Sequence, residues 1–510
     1  MKHGISTTVA EPTRYLLGLD AGNTVIKAVL FDLDGNQIAM HALDGQTSVP
    51  QSGYVERDLG ELWRNAHQAI RACIDKAGID ARDIAAVGCA GHGNGLYLLD
   101  KAQEPLLGIQ SLDSRAARLA DELAAGEAGD QLQQLCLQKP WPSQTPTLLA
   151  WVKREAPEIY AKAATVLLCK DYITYKLTGR LVSDVSDMSG CGMLRLPECS
   201  YDPELMRLYG LEDALGMLPE LLAPSDVAGE VTEEAGALTG LRPGTPVVAG
   251  FFDVVACALG SGVVANGQAS VIVGTWSINQ VVSEKPVAAA EVFMVSGFGE
   301  GRYLNIESSA TSAANLEWYV REFVERKGHH DDPFGHCNRL VAETQPAPDD
   351  PMYHPFLYGA RLGSEMRAGF YGLSGWHSEG HMLRALYEGV MFEHRRHIEV
   401  LVSAGVCFDD VILSGGGARS PVWPQIFADG LGKPVTIAAC QETGALGAAI
   451  AAGCGAGVVA SYEAGVERMT RAKQSFAPDP ALRDHYDRRY QLFIELGADL
   501  RKFWSKLRDA

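Results

Sequence analysis

Hydrophobic positions near the start of the chain fall in short runs separated by turn residues. Residues 15–20 and 25–31 flank Ala21-Gly22-Asn23-Thr24, and 37–43 follows a second turn at 32–35. That pattern predicts a three-stranded meander. Helical spacing replaces it over 59–77. Residues 84–90 read as a strand ending in Gly91-His92-Gly93-Asn94-Gly95, with 96–99 as the next strand. A helix is expected to open at 110–115, and an amphipathic one to cover 147–164 with Pro157 near its far end. Residues 166–169 read as a strand, and 171–177 as a helix closed by Thr178-Gly179. Asp184, Ser186 and Ser189 fall in an expected polar loop.

Midway, the apolar stretch 245–249 follows Arg242-Pro243-Gly244 and reads as a strand, while 254–259 has no breaker and reads as a helix start. Asp253 stands between them. An aspartate there can cap the helix. Alternatively it presents a carboxylate at a strand end in a cleft, where a substrate hydroxyl proton needs an acceptor. The strand pattern then begins again. Residues 269–273, the turn Gly274-Thr275-Trp276-Ser277 and residues 278–282 repeat the opening hairpin at the scale of a domain. Two such hairpins facing across a cleft would oppose two phosphate-cradling turns. Beyond them a helix is expected around 313–325, a polar loop over 327–350 and a long helix over 379–404. A strand at 411–413 enters the glycine-rich turn 414–420, which feeds a helix at 422–430 and suits a nucleotide phosphate or ribose. A strand at 435–437, an Ala-rich helix opened by 442–447 and a covering helix over 480–507 complete the reading.

At 510 residues the chain exceeds what one core supports, so two or more domains are expected. Residues 1–13 carry no pattern and read as a disordered tail. The formal net charge of −19 argues against nucleic acid or an anionic membrane as a main partner. Any phosphate site must then be built locally, from backbone N–H groups, helix N-termini and a metal ion. The 11 cysteines include no Cys-x-x-Cys pair, and the N-terminus lacks an apolar signal core. The apolar run 445–460 is too short and too small in side chain to span a bilayer. A cytoplasmic location with reduced thiols is the expectation.

Candidate chemistry sits on the turns. The first turn sets the Asp20 carboxylate, the Thr24 hydroxyl and a row of backbone N–H groups on one rim, able to cradle phosphates and position a hydrated Mg²⁺. The plainer reading is a hairpin with polar tips. Glycines around His92 let a ligand approach closely, so His92 is either a sugar contact or a solvated loop histidine. Asp113 is either a helix N-cap or a polar pocket wall.

Taken in order, these segments resemble the FGGY family of carbohydrate kinases, within the actin–hexokinase superfamily. The carrying motifs are GLDAGNTVIKA (18–28), GYVERD (53–58) with Trp63, GHGNG (91–95), CKDYITYKLTG (169–179), GTPVVAGFFD (244–253) and GTW (274–276). AGFYGL and HMLRALYEGV (within 368–390), SGGGARSPVW (414–423) and ETGALGAA (442–449) extend the match over nearly the whole chain. EMRAGFYGL, NLEW (315–318) and FFDVV resemble the L-xylulose kinase branch, whereas His92 resembles the histidine of D-xylulose kinases. The resemblance implies an α/β fold of two actin/hexokinase-like (ribonuclease H-like) domains with a cleft between them. Residues 14–256 would bind sugar and 257–510 ATP, with a last helix that can pack back across the domains. It implies ATP- and Mg²⁺-dependent phosphorylation of the C5 hydroxyl of a ketopentose, xylulose first, with ribulose and erythritol as alternatives. A homodimer is a further implication.

By position, Asp253 matches the catalytic base and Asp20 the carboxylate that organises Mg²⁺, both holding the ion through water. His92, Gly93, Asp113 and Asp253 fall around the sugar. Gly22, Asn23, Thr24, Lys27, Gly274, Thr275, Ala313, Glu317, Gly416, Gly417 and Ser420 fall around ATP. Two positions depart from the family pattern. Ser111 stands where many members carry Trp, and Glu317 where Gln or a small polar residue is common.

Rival motifs fit less well. Gly260-Ser261-Gly262-Val263-Val264-Ala265 matches G-x-G-x-x-A, but follows a helical pattern and lacks the downstream acid of a dinucleotide site. No Walker A sequence is present. His377 and His381 have zinc-ligand spacing, but Glu379 is misplaced for a zincin and Gly380 weakens the helix. A catalytically dead sugar sensor on the same fold would show a degraded first turn or no Asp253, and both are intact.

Overall fold

The computed structural model describes residues 14–508 except 290, 329 and 361–365, so the tail expected over 1–13 lies outside the described residues. Two sheets organise the chain, and both are wound alike. The first holds β1 (Tyr15–Ala21), β2 (Val25–Asp32), β3 (Gln37–Asp44), β4 (Ile84–Gly91), β5 (Val227–Glu230) and β6 (Pro246–Val248), with β7 (Phe251–Phe252) also beside β4. The second holds β8 (Ala269–Val273), β9 (Ser277–Ser283), β10 (Met294–Gly299), β11 (Arg302–Ser309), β12 (Val411–Ser414), β13 (Val435–Ala438) and β14 (Ala472–Phe476). In each, the opening strand pairs antiparallel with the next and parallel with a later one, β4 or β12. An antiparallel edge strand closes each sheet, β5 on β6 and β14 on β13. The repeat expected from the two hairpins is therefore a repeat of whole sheets.

The helices that matter for the site are α1 (Leu59–Ala77), α2 (Val185–Gly190), α3 (Asp253–Gly260), α4 (Pro333–Glu343), α5 (Glu379–Ser403), α6 (Thr443–Gly455) and α7 (Arg483–Arg508). Leu17, Leu19, Leu62 and Ile70 belong to the core of the first half, and Val271, Leu386 and Trp423 to that of the second. A third core lies between the sheets, where Val255 and Leu259 of α3 meet Leu446 and Ile450 of α6 together with Leu16, Phe31 and Ile306. The α6 helix follows a strand of the second sheet yet packs on β1 and β4 of the first. Glycine makes that approach possible: a Cβ added to Gly18 would lie 1.9 Å from the Ala445 carbonyl oxygen, and one on Gly88 2.1 Å from that of Ala448.

Several boundaries differ from the sequence expectation. The polar stretch 327–350 contains α4, whose first turn is capped by Asp332 accepting from the Gly335 N–H at 2.8 Å, with Pro333 leading. The polar loop around Ser186 is the helix α2, because Asp184 accepts from the Ser186 N–H at 2.6 Å and caps it. The helix expected over 147–164 is Thr145–Glu155, a break at Ala156, and Pro157–Tyr160; the residue before proline is disfavoured in helix. The helix expected from 110–115 starts at Ala117 instead. β10 and β11 lie where no strand was expected. The last helix stays on the second half in its main contacts: Tyr486 donates to Glu388 at 3.3 Å, Arg489 to the Pro351 carbonyl at 2.8 Å, and Asp487 pairs with Arg395 at 2.7 Å. All 11 cysteines are free. Among the described residues no helix is long and apolar enough to cross a membrane.

Candidate active site

The α3 helix begins at Asp253 itself, with Phe252 in the capping position and no side-chain cap bond. Asp253 is therefore not spent on capping. It lines a cavity of about 270 Å³ at the junction of the two halves. Asn23, His92, Gly93 and Ser111 line it from the first half, and Gly274, Thr275 and Trp276 from the second. The two hairpin turns thus meet over one cavity with a carboxylate between them, and Thr24 and Thr275 are exposed at their tips.

Each turn is held from behind. In the first, the Gly22 N–H donates to the Val25 carbonyl at 3.0 Å, and Asn23 Nδ2 to Ser111 Oγ at 2.9 Å. Arg57 of the GYVERD segment is buried, pairs with Glu61 at 2.9 Å and donates to the Gly22 carbonyl at 3.3 Å. In the second, the Ala313 N–H donates to the Gly274 carbonyl at 2.8 Å. Below it Ser277 and Asn279 engage His397 Nδ1 at 3.2 and 3.0 Å, and His394 Nδ1 lies 2.8 Å from Asn279 Oδ1. Burial lowers the His394 pKa to about 3, so the His394 ring is neutral.

Two carboxylates dominate the electrostatics. Burial, and then the neighbouring Asp20, push Asp253 up to about 8. Burial raises Asp20 to about 6, with Lys27 opposing the shift and Glu442 adding to it. Lys27 Nζ sits 2.8 Å from Glu442 Oε2, a pair that joins β2 to the residue before α6. The Asp20 carboxylate rests on the first turn of α6, since a Cβ on Gly444 would lie 2.7 Å from its Oδ2. Two mutually repelling, hard oxygen donors fit a divalent cation such as Mg²⁺, whose charge would favour ionisation of both. Among the described residues no group of three or more His, Cys, Asp or Glu side chains could hold a metal.

His92 is buried, with Nε2 2.9 Å from the Tyr97 hydroxyl, and burial lowers its pKa to about 4. It thus faces the cavity as a neutral ring. Gly93 packs closely on Phe252, since a Cβ there would lie 2.4 Å from its ring and force it to shift. Asp113 stands apart from the cavity lining. Its carboxylate accepts from the Val55 N–H at 2.6 Å and pairs with Arg115 at 2.9 Å, which leaves it a structural role in this state. Asn94 and Trp141 are among the lining residues that escaped the sequence reading. Asn94 Oδ1 and Trp141 Nε1 are buried without a hydrogen-bond partner. Trp141 stacks at 5.5 Å against Phe293, so one wall of the cavity is shared by both halves. Asn94 lay within the GHGNG motif; Trp141 carried no local signal.

A second cavity of about 730 Å³ opens in the second half, lined by Ala313, Glu317, Gly416, Gly417 and Ser420. Phe334, Asn338 and Tyr387 complete it. Asn338 Oδ1 accepts from Ser420 Oγ at 2.6 Å and from the Tyr387 hydroxyl at 3.0 Å. Phe334 and Asn338 were missed because α4 was hidden in a polar stretch. The glycine-rich turn backs onto β8: a Cβ on Gly417 would lie 2.3 Å from Val273 Cγ1. A larger hollow of about 830 Å³ between α5 and α7 contains none of the expected residues. The rival motifs lapse. Gly260 ends a helix with no strand before it, and the His377 and His381 Nδ1 atoms accept from the Ser374 and Ser378 N–H groups at 2.9 and 3.1 Å.

Two like-wound sheets sharing a core, with opposed hairpins over one acid, define a two-domain fold of the actin/hexokinase type. The FGGY carbohydrate kinase N-terminal domain model matches residues 15–260 and the C-terminal domain model residues 269–456. The chain belongs to the FGGY family of carbohydrate kinases. It is 33% identical over 500 residues to the L-xylulose/3-keto-L-gulonate kinase of Escherichia coli K12, covering 98% of this chain and 99% of that one. A probable L-xylulose kinase of Pasteurella multocida is 34% identical over 490 residues, covering 96% and 99%. The crystal structure of xylulose kinase from Rhodospirillum rubrum superposes with a TM-score of 0.88 at 29% identity, covering 96% and 100%.

Proposed function

We propose that this carbohydrate kinase transfers the γ-phosphoryl group of ATP to the C5 hydroxyl of a ketopentose, with xylulose the first candidate. Residues 14–256 form the sugar-binding half and 257–510 the nucleotide-binding half of this reading. Its main support is the placement of Asp253 on a cavity to which both hairpin turns contribute. The sugar occupies the cavity at His92, Gly93 and Asn94, and its terminal hydroxyl points to Asp253. That carboxylate accepts or orients the hydroxyl proton. The nucleotide lies in the second cavity, with Glu317 toward the base and Gly416, Gly417 and Ser420 toward the ribose and α-phosphate. Gly274 and Thr275 meet the outer phosphates across from Gly22, Asn23 and Thr24, while Lys27 stays behind the first turn in its pair with Glu442. Mg²⁺, held through water by Asp20 and Asp253, would neutralise phosphate charge. Phosphoryl transfer has a loose transition state, so placement and charge neutralisation carry most of the catalysis.

The sugar cavity favours an uncharged substrate. Asp253 is the only acidic side chain among its described lining residues, and no Lys or Arg is among them. A sugar acid would find an acidic side chain there and no basic one to pair with. The deciding experiment is an ADP-release assay over L-xylulose, D-xylulose, ribulose, erythritol and 3-keto-L-gulonate, compared as kcat/KM. A neutral ketopentose should lead the panel. Preference for the sugar acid would remove the neutral-substrate reading, and saturable sugar binding with zero turnover would replace the kinase by a sensor.

A further inference from the structure

A buried ionic cluster is linked to the residue before Asp253 by a chain of contacts and has no part in the chemistry above. Lys170 is fully buried, and its Nζ stands 2.5 Å from Asp171, 2.9 Å from Asp184 and 3.6 Å from Asp187. Three carboxylates around one ammonium are costly to bury unless attraction at close range and further hydrogen bonds offset the lost hydration. Both oxygens of Asp187 are buried without a hydrogen-bond partner.

The contacts run toward the reacting acid. Lys170 holds Asp184, whose carboxylate caps α2 through the Ser186 N–H at 2.6 Å. Ser186 Oγ then accepts the Phe252 N–H at 3.0 Å, one residue before Asp253. A Cβ on Gly190, at the end of the same helix, would lie 2.9 Å from the Phe252 ring. The helix is also fastened to the second sheet. Ser296 Oγ donates to the Ser186 carbonyl at 2.8 Å, and the Gly297 N–H to Ser189 Oγ at 2.7 Å.

We infer that Lys170 is a positioning residue for Asp253, acting through Asp184 and the Ser186 hydroxyl on the Phe252 N–H. Through α2 it also fixes the acid relative to the edge of the second sheet. This inference rests on Asp253 being the base.

The test compares wild type, Asp253→Asn, Ser186→Ala, Ser186→Thr and Lys170→Met under steady-state conditions with the best ketose. Lys170→Met strands buried carboxylates and can unfold the first half. Ser186→Ala removes a single oxygen, so it keeps the test decisive; thermal melts establish that each variant is folded. A small misplacement of a reacting group costs rate rather than affinity. Ser186→Ala should therefore lose about tenfold or more in kcat, with KM for both substrates within about twofold of wild type. Ser186→Thr, which restores the hydroxyl, should recover most of the loss. Folded Ser186→Ala with wild-type kcat, a loss expressed in KM, or no recovery in Ser186→Thr would each overturn the inference. If Asp253→Asn is as active as wild type, the base assignment fails and takes this inference with it. If Asp253→Asn is inactive while Ser186→Ala is normal, only the positioning role falls.

Discussion

At the scale of single residues, the protein places acids where water cannot easily solvate them. Asp253 and Asp20 lie close enough for the charge of one to raise the pKa of the other, and burial adds to this. Replacing Asp253 by Asn keeps the shape and removes the proposed proton acceptor. The expected loss in kcat is ~10²–10⁴-fold, with nucleotide binding by calorimetry largely retained. The same substitution tests the electrostatics without catalysis. A carboxyl raised from 3.8 to about 8 in the folded state takes up protons more readily there than in the unfolded chain. Its favourable contribution is complete below the unfolded pKa and is lost as pH rises through about 8. Asp253→Asn has no such loss. The ligand-free variant should therefore gain melting temperature over wild type as pH is raised from 5 to 9, and a constant difference across that range would refute the shift. At this scale the sequence was informative where chemistry is local. Asp253, Asn23, His92, Gly93, Gly274 and Thr275 were all nominated from turns and strand ends, and they converge on one cavity. Asp113 was nominated in the same way, but Arg115 two residues on and the Val55 N–H hold its carboxylate. No sequence pattern could have revealed the Val55 contact.

At the scale of elements, the strands of the two sheets were legible where turn residues bound them. Helices were legible where their apolar face was wide. What failed was polar helix: α2 and α4 read as loops because Asp, Ser and Asn are common in both settings. Only the capping bonds of Asp184 and Asp332 distinguish the two. Those two helices carry Ser186 and Asn338, so the missed elements are also the missed support of the site. The close contact of α6 with the first sheet was legible only in part, as an Ala-rich and Gly-rich run. Its partner positions, Gly18 and Gly88, lie in distant strands. The geometry makes a sharp distinction among glycines. Gly447 faces the Ala256 carbonyl oxygen at 2.0 Å from an added Cβ, whereas nothing lies within 4 Å of one on Gly216. Gly447→Val should cost at least ~1–3 kcal/mol in urea unfolding, because backbone cannot move aside as a side chain can. Gly216→Ala should be nearly neutral. Equal stability of the two variants would mean that α3 and α6 are not packed this tightly.

At the scale of the whole molecule, the two halves are joined in three ways. The core between α3 and α6 is apolar and dense, the Lys27–Glu442 pair spans the floor beside Asp20, and α2 is fastened to β10. The first of these resists sliding, because glycine backbones interlock with carbonyl oxygens on the facing helix. Motion between the halves is then better served by rotation that opens and closes the cleft than by shear of one sheet over the other. The cavities proposed for nucleotide and for sugar are lined by different residues, with Asp253 on the latter. On the proposed assignment, in-line transfer requires phosphates on the second half to approach a hydroxyl on the first, and closure would also exclude water. Small-angle scattering should record a smaller radius of gyration when a ketopentose and a non-hydrolysable ATP analogue are both present than with either alone. The Asp253→Asn variant should compact in the same way, since closure depends on both ligands and not on proton transfer. If the radius is unchanged by the pair of ligands in both proteins, closure is not the step that unites the two cavities.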